Sequence, residues 1–424
     1  MDTRRVVITG MGVVSAVGIG REAYWESLRL GRSGVGPATC LDLDGFPAQL
    51  VAEVKDFDPR TLIVQRKAIK VMCREIQLGA ASAKLALEDA RLVDGLHPER
   101  TGVSFGAGLI VSDIDELGPA FVAALDEEGS FDLKRFGRAG LANLFPLWLL
   151  KYLPNMHACH ISIFFDCRGP NNSITAGDCS ATQAIGEAAR IIARGDADVF
   201  LAGGADGKLR PLNMLRYELL GWLSHRREET PSPFDRRRDG FVAGEGGVCF
   251  VLETLAGARR RGAPILAEII GYGTAWEPGD VRRHSSQGGR LGLTAALADA
   301  GTRPEDVDLL CAHGLGMPAT DAAEAQAIHA VFGESAERLP VTGIKPMTGH
   351  VSAAAGGLEL AACCLTLTEG IIPPTLNYRD QDRKCRLNLV TGEARQADVR
   401  VAMVNTFSFG GQSAALVLRS ISAE

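Results

Sequence analysis

The sequence predicts a layered α/β protein built from a repeated unit, and three observations predict it. The chain has 424 residues, long for one hydrophobic core. Short β-branched runs bounded by glycine alternate with helical periods. The alternation runs once from the N-terminus and begins again after about Glu253. Sheets covered by helices bury both kinds of element. We therefore expect two α/β halves, residues 1–255 and 256–424.

The first run, "RRVVITGMGVVSAVG", reads as a buried strand closing in a glycine-rich loop. "GREAYWESLRLGRSG" reads as a helix stopped by glycine. "TGVSFGAG" is a further strand. The stretch from Leu109 to Ile161 is mixed, with helical pieces such as "ANLFPLWLLKYL". "IGEAARIIARGDADVFLAGGAD" gives helix, turn and strand, with Ile185, Ala188, Ala189, Ile191 and Ile192 on the helix's apolar face. In the second round "AEIIGYGTA" and "VDLLCAHG" are strands, followed by the helices "GLTAALADAG" and "DAAEAQAIHAVFG". "GGLELAACCLTLTEG" is another helix, and "VRVAMVNTFSFGG" and "SAALVLRS" are closing strands. The charged loop "HRREETPSPFDRRRDG" is either solvated or a brace for a site.

Composition excludes several function classes. Apolar residues make up 46% and charged residues 23%, as in a globular chain. A net charge of −6 gives no electrostatic case for nucleic acid or an anionic membrane. No apolar stretch is long enough to span a bilayer. "MDTRRVVITGMGVVSAVG" imitates a signal peptide, but removing it would open the first strand of a sheet. The ten cysteines include no CxxC pair, so reduced, buried thiols in a cytoplasmic protein are expected. His157, Cys159 and His160 have no second ligand pair nearby, which argues against a metal. "TGMGVVSAVG" lacks GxGxxG spacing and the acidic partner of a dinucleotide site, so an oxidoreductase reading ranks last.

Chemistry-bearing residues gather at predicted strand ends, where α/β folds place their sites. "TAGDCSATQ" is a sharp small-residue turn before a helix, and it carries Asp178 and Cys179 side by side. "CAHGLGMP" puts His313 at the end of an apolar strand. "IKPMTGHVSAAAGG" puts Lys345 and His350 on either side of a turn. "NTFSFGGQSAA" ends a strand in a turn at Phe409, Gly410 and Gly411.

On these motifs, with "VVITGMGVVSAVG", "SPFDRRRDGFVAGEGG" and "IIPPTLN", nearly the whole chain resembles the β-ketoacyl-acyl-carrier-protein synthases. The resemblance implies a thiolase-like fold: two βαβαβαββ halves in a five-layered α/β/α/β/α core, normally in a dimer. It implies a helix-start Cys that takes an acyl chain as a thioester, and two His that support decarboxylation of malonyl carrier protein. By motif His313 and His350 match those two. Lys345 matches the lysine near the second His, and Glu324 the family's acidic neighbour. Phe409 matches the residue whose backbone N–H completes the oxyanion hole. Substrates would ride on the phosphopantetheine of an acyl carrier protein, with no other cofactor. The apolar stretch "SIFFDCRGPNNSIT" matches the segment that pairs with a dimer mate, in a homodimer or with an intact ketosynthase.

The sequence departs from that pattern at the nucleophile. Laid on the family without a gap from Pro170 to Ile185, the Cys position falls on Asp178. Using Cys179 instead needs an insertion and a compensating deletion, and one residue turns a helical side chain by about 100°. Leu315 also replaces a hydroxyl next to His313. Three readings follow: a non-condensing subunit like the chain length factors, a malonyl-carrier-protein decarboxylase, or a condensing enzyme that uses Cys179.

Overall fold

The structure is a computed structural model and describes residues 4–63, 65–278 and 285–421. Eleven strands carry the architecture. They are β1 (Val6–Ser15), β2 (Thr101–Ala107), β3 (Asn171–Ile174), β4 (Val199–Gly207), β5 (Glu245–Thr254), β6 (Ala267–Trp276), β7 (Leu309–Cys311), β8 (Pro340–Thr342), β9 (Asn388–Leu389), β10 (Val401–Ser408) and β11 (Gln412–Arg419). Their order across the sheet is β9-β8-β7-β10-β11-β6-β1-β5-β4-β2-β3.

The pairing repeats on either side of the β6–β1 contact. In the first half β3, β2 and β4 are parallel, and β5 and β1 then join antiparallel. In the second half β8, β7 and β10 are parallel, and β11 and β6 then join antiparallel. Parallel strands, expected throughout, are thus confined to the outer part of each half. Of the inner strands only β10 and β11 are joined by a tight turn, Phe409–Gly411, which antiparallel pairing permits.

Seven helices matter for the layers: α1 (Arg21–Arg29), α2 (Arg74–Asp89), α3 (Met156–Phe165), α4 (Ser180–Arg194), α5 (Ser286–Ala300), α6 (Pro318–Phe332) and α7 (Ala355–Glu369). Helices α4 and α7 pack against each other between the two halves of the sheet. Helices α2 and α3 cover the outer face of the first half, and α5 and α6 that of the second. The result is five layers, α/β/α/β/α, the thiolase-like arrangement that the resemblance implied.

Strand periodicity sorts side chains between these layers. On β5, Val248, Phe250 and Leu252 enter the central core, whereas Cys249 and Val251 enter the outer one. On β10, Ala402 and Val404 face the centre, and Met403 and Phe407 face outward. The same alternation carries Thr406 and Ser408 to the central side, over the start of α4. Ile185, Ala188, Ala189 and Ile192 of α4 all lie in the central core, as its apolar face required.

Two sequence readings are corrected. The glycines of "TGMG" do not end the first strand, because β1 runs through Gly10 and Gly12 to Ser15. They are there for α2, whose backbone crosses the strand closely. A Cβ on Gly12 would lie 2.0 Å from Ser82 O. The piece "ANLFPLWLLKYL" is not one helix. It breaks into a 3₁₀ turn, Leu141–Asn143, and a five-residue helix, Trp148–Tyr152, with Pro146 between them. Among the described residues no helix is long and apolar enough to cross a membrane.

Gly12→Ala is expected to cost ~1–3 kcal/mol by overpacking, because the obstructing atom is backbone. Gly36→Ala, with nothing within 4 Å of the added carbon, is expected to stay within about 0.5 kcal/mol. Urea midpoints of the two variants check the contrast, and equal midpoints would refute it.

Candidate active site

The site forms where the start of α4 meets the ends of β7 and β10. The chain enters α4 through a 3₁₀ turn, Gly177–Cys179. Gly177 sits at φ +56°, a left-handed conformation that favours glycine. Ser180 staples the turn: its hydroxyl accepts from Ala176 N–H at 2.9 Å and donates to Gly177 O at 2.6 Å. The N–H of Asp178 donates to Ser408 Oγ at 3.2 Å.

This elbow sends the two candidate nucleophiles in different directions. The Asp178 carboxylate turns to the imidazoles, with Oδ1 3.3 Å from His350 Nε2 and Oδ2 3.8 Å from His313 Nε2. The Cys179 thiol turns away. Its Sγ donates to Thr406 O at 3.5 Å, among Ala176, Ile174 and Ala414, and it is fully buried. Burial pushes that thiol well above the usual cysteine range, with the nearby Asp178 charge adding to the effect. A thiol so held is a poor nucleophile, because the thiolate is the reactive form.

His313 follows β7 and is fixed through its backbone. Glu324 Oε1 accepts from His313 N–H at 2.7 Å and Oε2 from Gly314 N–H at 2.8 Å. Asn405 Nδ2 adds a third donor to Glu324 at 2.8 Å. Both carboxylate oxygens are thus committed to holding the β7 turn. Burial lifts the Glu324 carboxyl to about 7.

Lys345 is buried to 1% exposure and touches three groups. It donates to His313 Nδ1 at 3.2 Å, to the His313 carbonyl, and to Glu359. An ammonium has no acceptor, so His313 Nδ1 must accept, and a neutral ring carries its proton on Nε2. That proton points toward Asp178. Burial raises the Glu359 carboxyl to about 8, while Lys345 opposes the rise.

His350 is held by backbone pairing to Val242 and Gly244, at 2.8 and 3.0 Å, and by the edge of Phe241 at 4.8 Å between centroids. The two imidazoles stand 6.0 Å apart and nearly perpendicular. Phe409 follows Ser408, and its ring stacks on Trp222 at 3.8 Å and 10°. Leu315 is fully buried and shares with these aromatics a cluster containing Tyr217, Leu223 and Phe241.

The structure therefore brings Asp178, His313, Lys345 and His350 together, with Glu324 and Phe409 at the margins. Cys179 lies beside the group and faces elsewhere. Sequence reasoning missed Glu359, Ser408 and Trp222. Glu359 had a signal, as the one acid within "GGLELAACCLTL". His157 and His160 lie apart, on α3. The ring of His157 stacks on Phe105, and its Nδ1 lies 3.0 Å from Pro154 O.

Burial makes these carboxyls a pH-dependent burden. A carboxyl whose folded value is raised binds its proton more tightly when folded, so stability is lost as pH rises through that value. The window runs from 4.5 to about 7 for Glu324 and from 4.5 to about 8 for Glu359. Stability should therefore fall between pH ~5 and ~8, by up to ~1.4 kcal/mol per pH unit for each proton involved. Glu359→Gln should flatten the upper part, between about 7 and about 8. Urea midpoints measured across this range test the point, and an unchanged slope in the variant would contradict it.

Comparisons with known proteins identify the family. The family model "Beta-ketoacyl synthase, N-terminal domain" matches residues 3–258, and "Beta-ketoacyl synthase, C-terminal domain" matches residues 266–379. A 3-oxoacyl-[acyl-carrier-protein] synthase 2 of Coxiella burnetii is 38% identical, covering 99% of this chain and 100% of its own. The ishigamide ketosynthase/chain length factor superposes with a TM-score of 0.89 at 31% identity, covering 99% of this chain and 100% of that one. A type II polyketide-synthase acyl-carrier protein in complex with its ketosynthase bound to the hexaketide gives a TM-score of 0.81 at 27% identity, with coverage of 99% and 100%. With both halves matched and a relative aligned from end to end, the chain belongs to the beta-ketoacyl synthase family.

Proposed function

We propose that this chain handles acyl groups borne on an acyl carrier protein without condensing them, as the partner subunit of an intact ketosynthase. One observation carries the reading. The side chain facing both imidazoles is the carboxylate of Asp178, and the neighbouring thiol faces an apolar pocket.

Chemistry separates the two groups. A thiolate that attacks an acyl thioester forms a new thioester and releases the carrier thiol. A carboxylate that attacks the same carbonyl forms a mixed anhydride, which is less stable than the thioester consumed and is open to hydrolysis. The acyl-transfer step is thereby removed, while the fold and the surrounding site persist. The superposition on a ketosynthase/chain length factor and on a carrier-protein complex supports this class of partner. The two halves meeting near residue 255 belong to the same reading. So does dimerisation through β3, which ends the sheet and pairs on one side only among the described residues.

Decarboxylation of malonyl carrier protein is the second reading, favoured by the two imidazoles that face residue 178. A carboxylate at 178 works against it. At an effective dielectric near 20, two negative charges about 4 Å apart cost on the order of 4 kcal/mol.

Intact mass after incubation with octanoyl-CoA is expected to show no adduct on the wild type. The protein alone should not condense the acyl group with malonyl carrier protein. Asp178→Cys is expected to gain an adduct over a long incubation, and prior iodoacetamide to block it. An adduct on the wild type that Cys179→Ala removes and Asp178→Ala leaves would overturn the reading. Acetyl carrier protein formed from malonyl carrier protein by the wild type alone would favour decarboxylation.

A further inference from the structure

We propose that Ser408 is a positioning residue that keeps the acyl-oxygen site of this chain closed. Its hydroxyl occupies the N–H of residue 178, and glycine at 177 makes room for it. The inference rests on the reading that residue 178 stands at the nucleophile position.

An acyl carbonyl attacked at that position develops negative charge on its oxygen. The nearest fixed donor is the backbone N–H of the attacking residue, at the start of a fifteen-residue helix whose first N–H groups lack partners within the helix. Such a donor stabilises an oxyanion when it is preorganised and unoccupied. Here it is engaged: Asp178 N–H donates to Ser408 Oγ at 3.2 Å. A substrate oxygen must displace that hydroxyl or share its hydrogen.

Three features hold the hydroxyl in place. The alternation of β10 puts Ser408 on the same side as Thr406, whose hydroxyl lies 3.2 Å from that of Thr182 on α4. Strand and helix are therefore in register at this point. Ser408 is 5% exposed, so water offers its hydroxyl little alternative. A Cβ on residue 177 would lie 2.1 Å from Ser408 Oγ. A side chain at 177 and a hydroxyl at 408 thus exclude each other in this arrangement. The chain carries the compatible pair, Gly177 with Ser408. An Asp at 178 and a hydroxyl on its N–H then block acyl transfer twice, once at the attacking atom and once at the oxygen it would charge.

The test separates attack from oxyanion stabilisation. Iodoacetamide alkylates a thiol without using an oxyanion donor, whereas acyl transfer from octanoyl-CoA uses one. Asp178→Cys and Asp178→Cys/Ser408→Gly are compared with both reagents, with adducts mapped to the peptide that carries residue 178. Alkylation rates should agree within about twofold. Acylation should be at least about tenfold faster in the double variant, since one oxyanion donor is worth on the order of a hundredfold. Ser408→Ala should give the same gain if Ser408→Gly folds poorly. Equal acylation rates at an alkylatable residue 178 overturn the role of Ser408 and leave the reading of Asp178 intact. A residue 178 that neither reagent reaches, with acylation at Cys179, overturns both. A structural arm is independent of catalysis. Gly177→Ala should lower the melting temperature more in the wild type than in the Ser408→Gly background, because backbone strain at 177 is common to both and cancels. Equal penalties would also overturn the proposal.

Discussion

Which side chain meets the imidazoles is decided by the direction in which α4 begins. The turn at Gly177 needs a positive φ, and Ser180 ties it on both sides. Thr182 and Thr406 then fix the helix against β10. Successive helical residues differ by about 100°, so 178 and 179 cannot share a direction. Bringing Cys179 to His313 and His350 would require rotating the whole helix. Ile185, Ala188 and Ile192 would leave the central core, where all three are fully buried. Burying a side chain of that size is worth about 1.5–3 kcal/mol for each Ile. The register of one turn is thus held by packing along the full length of the helix.

The charges around that turn form a closed set. Lys345 is a buried cation between His313 and Glu359. Its contact with Nδ1 fixes the His313 tautomer and so aims the Nε2 proton at residue 178. Glu324 does its work on backbone amides, holding the β7 turn that carries His313. The raised carboxyls of Glu324 and Glu359 show that burial outweighs the neighbouring cation in both places. Phe409 contributes its ring to the stack with Trp222, and through Phe241 that aromatic cluster reaches His350.

Much of this was legible in the sequence because it is local. The gapless run from Pro170 to Ile185 put the acid at the elbow, and His313, Lys345 and His350 each stood at a strand end or small-residue turn. What escaped depends on partners far along the chain. Gly10 and Gly12 read as a loop because nothing near them announces α2, which supplies Ser82 and Ala86 against them. The broken segment that ends at Tyr152 reads as helical until Pro146 is weighed. Antiparallel inner strands look like parallel ones when both faces are buried. Ser408 looks like a routine strand residue until β10 is laid over the elbow. Trp222 and Phe409 lie far apart in sequence and stack only because two loops converge.

The persistence of His313, Lys345 and His350 around an acid has a physical account that needs no turnover. A site built around a helix N-terminus, an ammonium and imidazole N–H groups favours an anion. In a condensing enzyme that anion is transient, a thiolate or a developing oxyanion. Asp178 supplies it permanently, 3.3 Å from His350 and 3.8 Å from His313. The packing of these residues around that carboxylate is a structural role that requires no turnover. Their presence alone does not report activity, and the atom that does is the one at position 178.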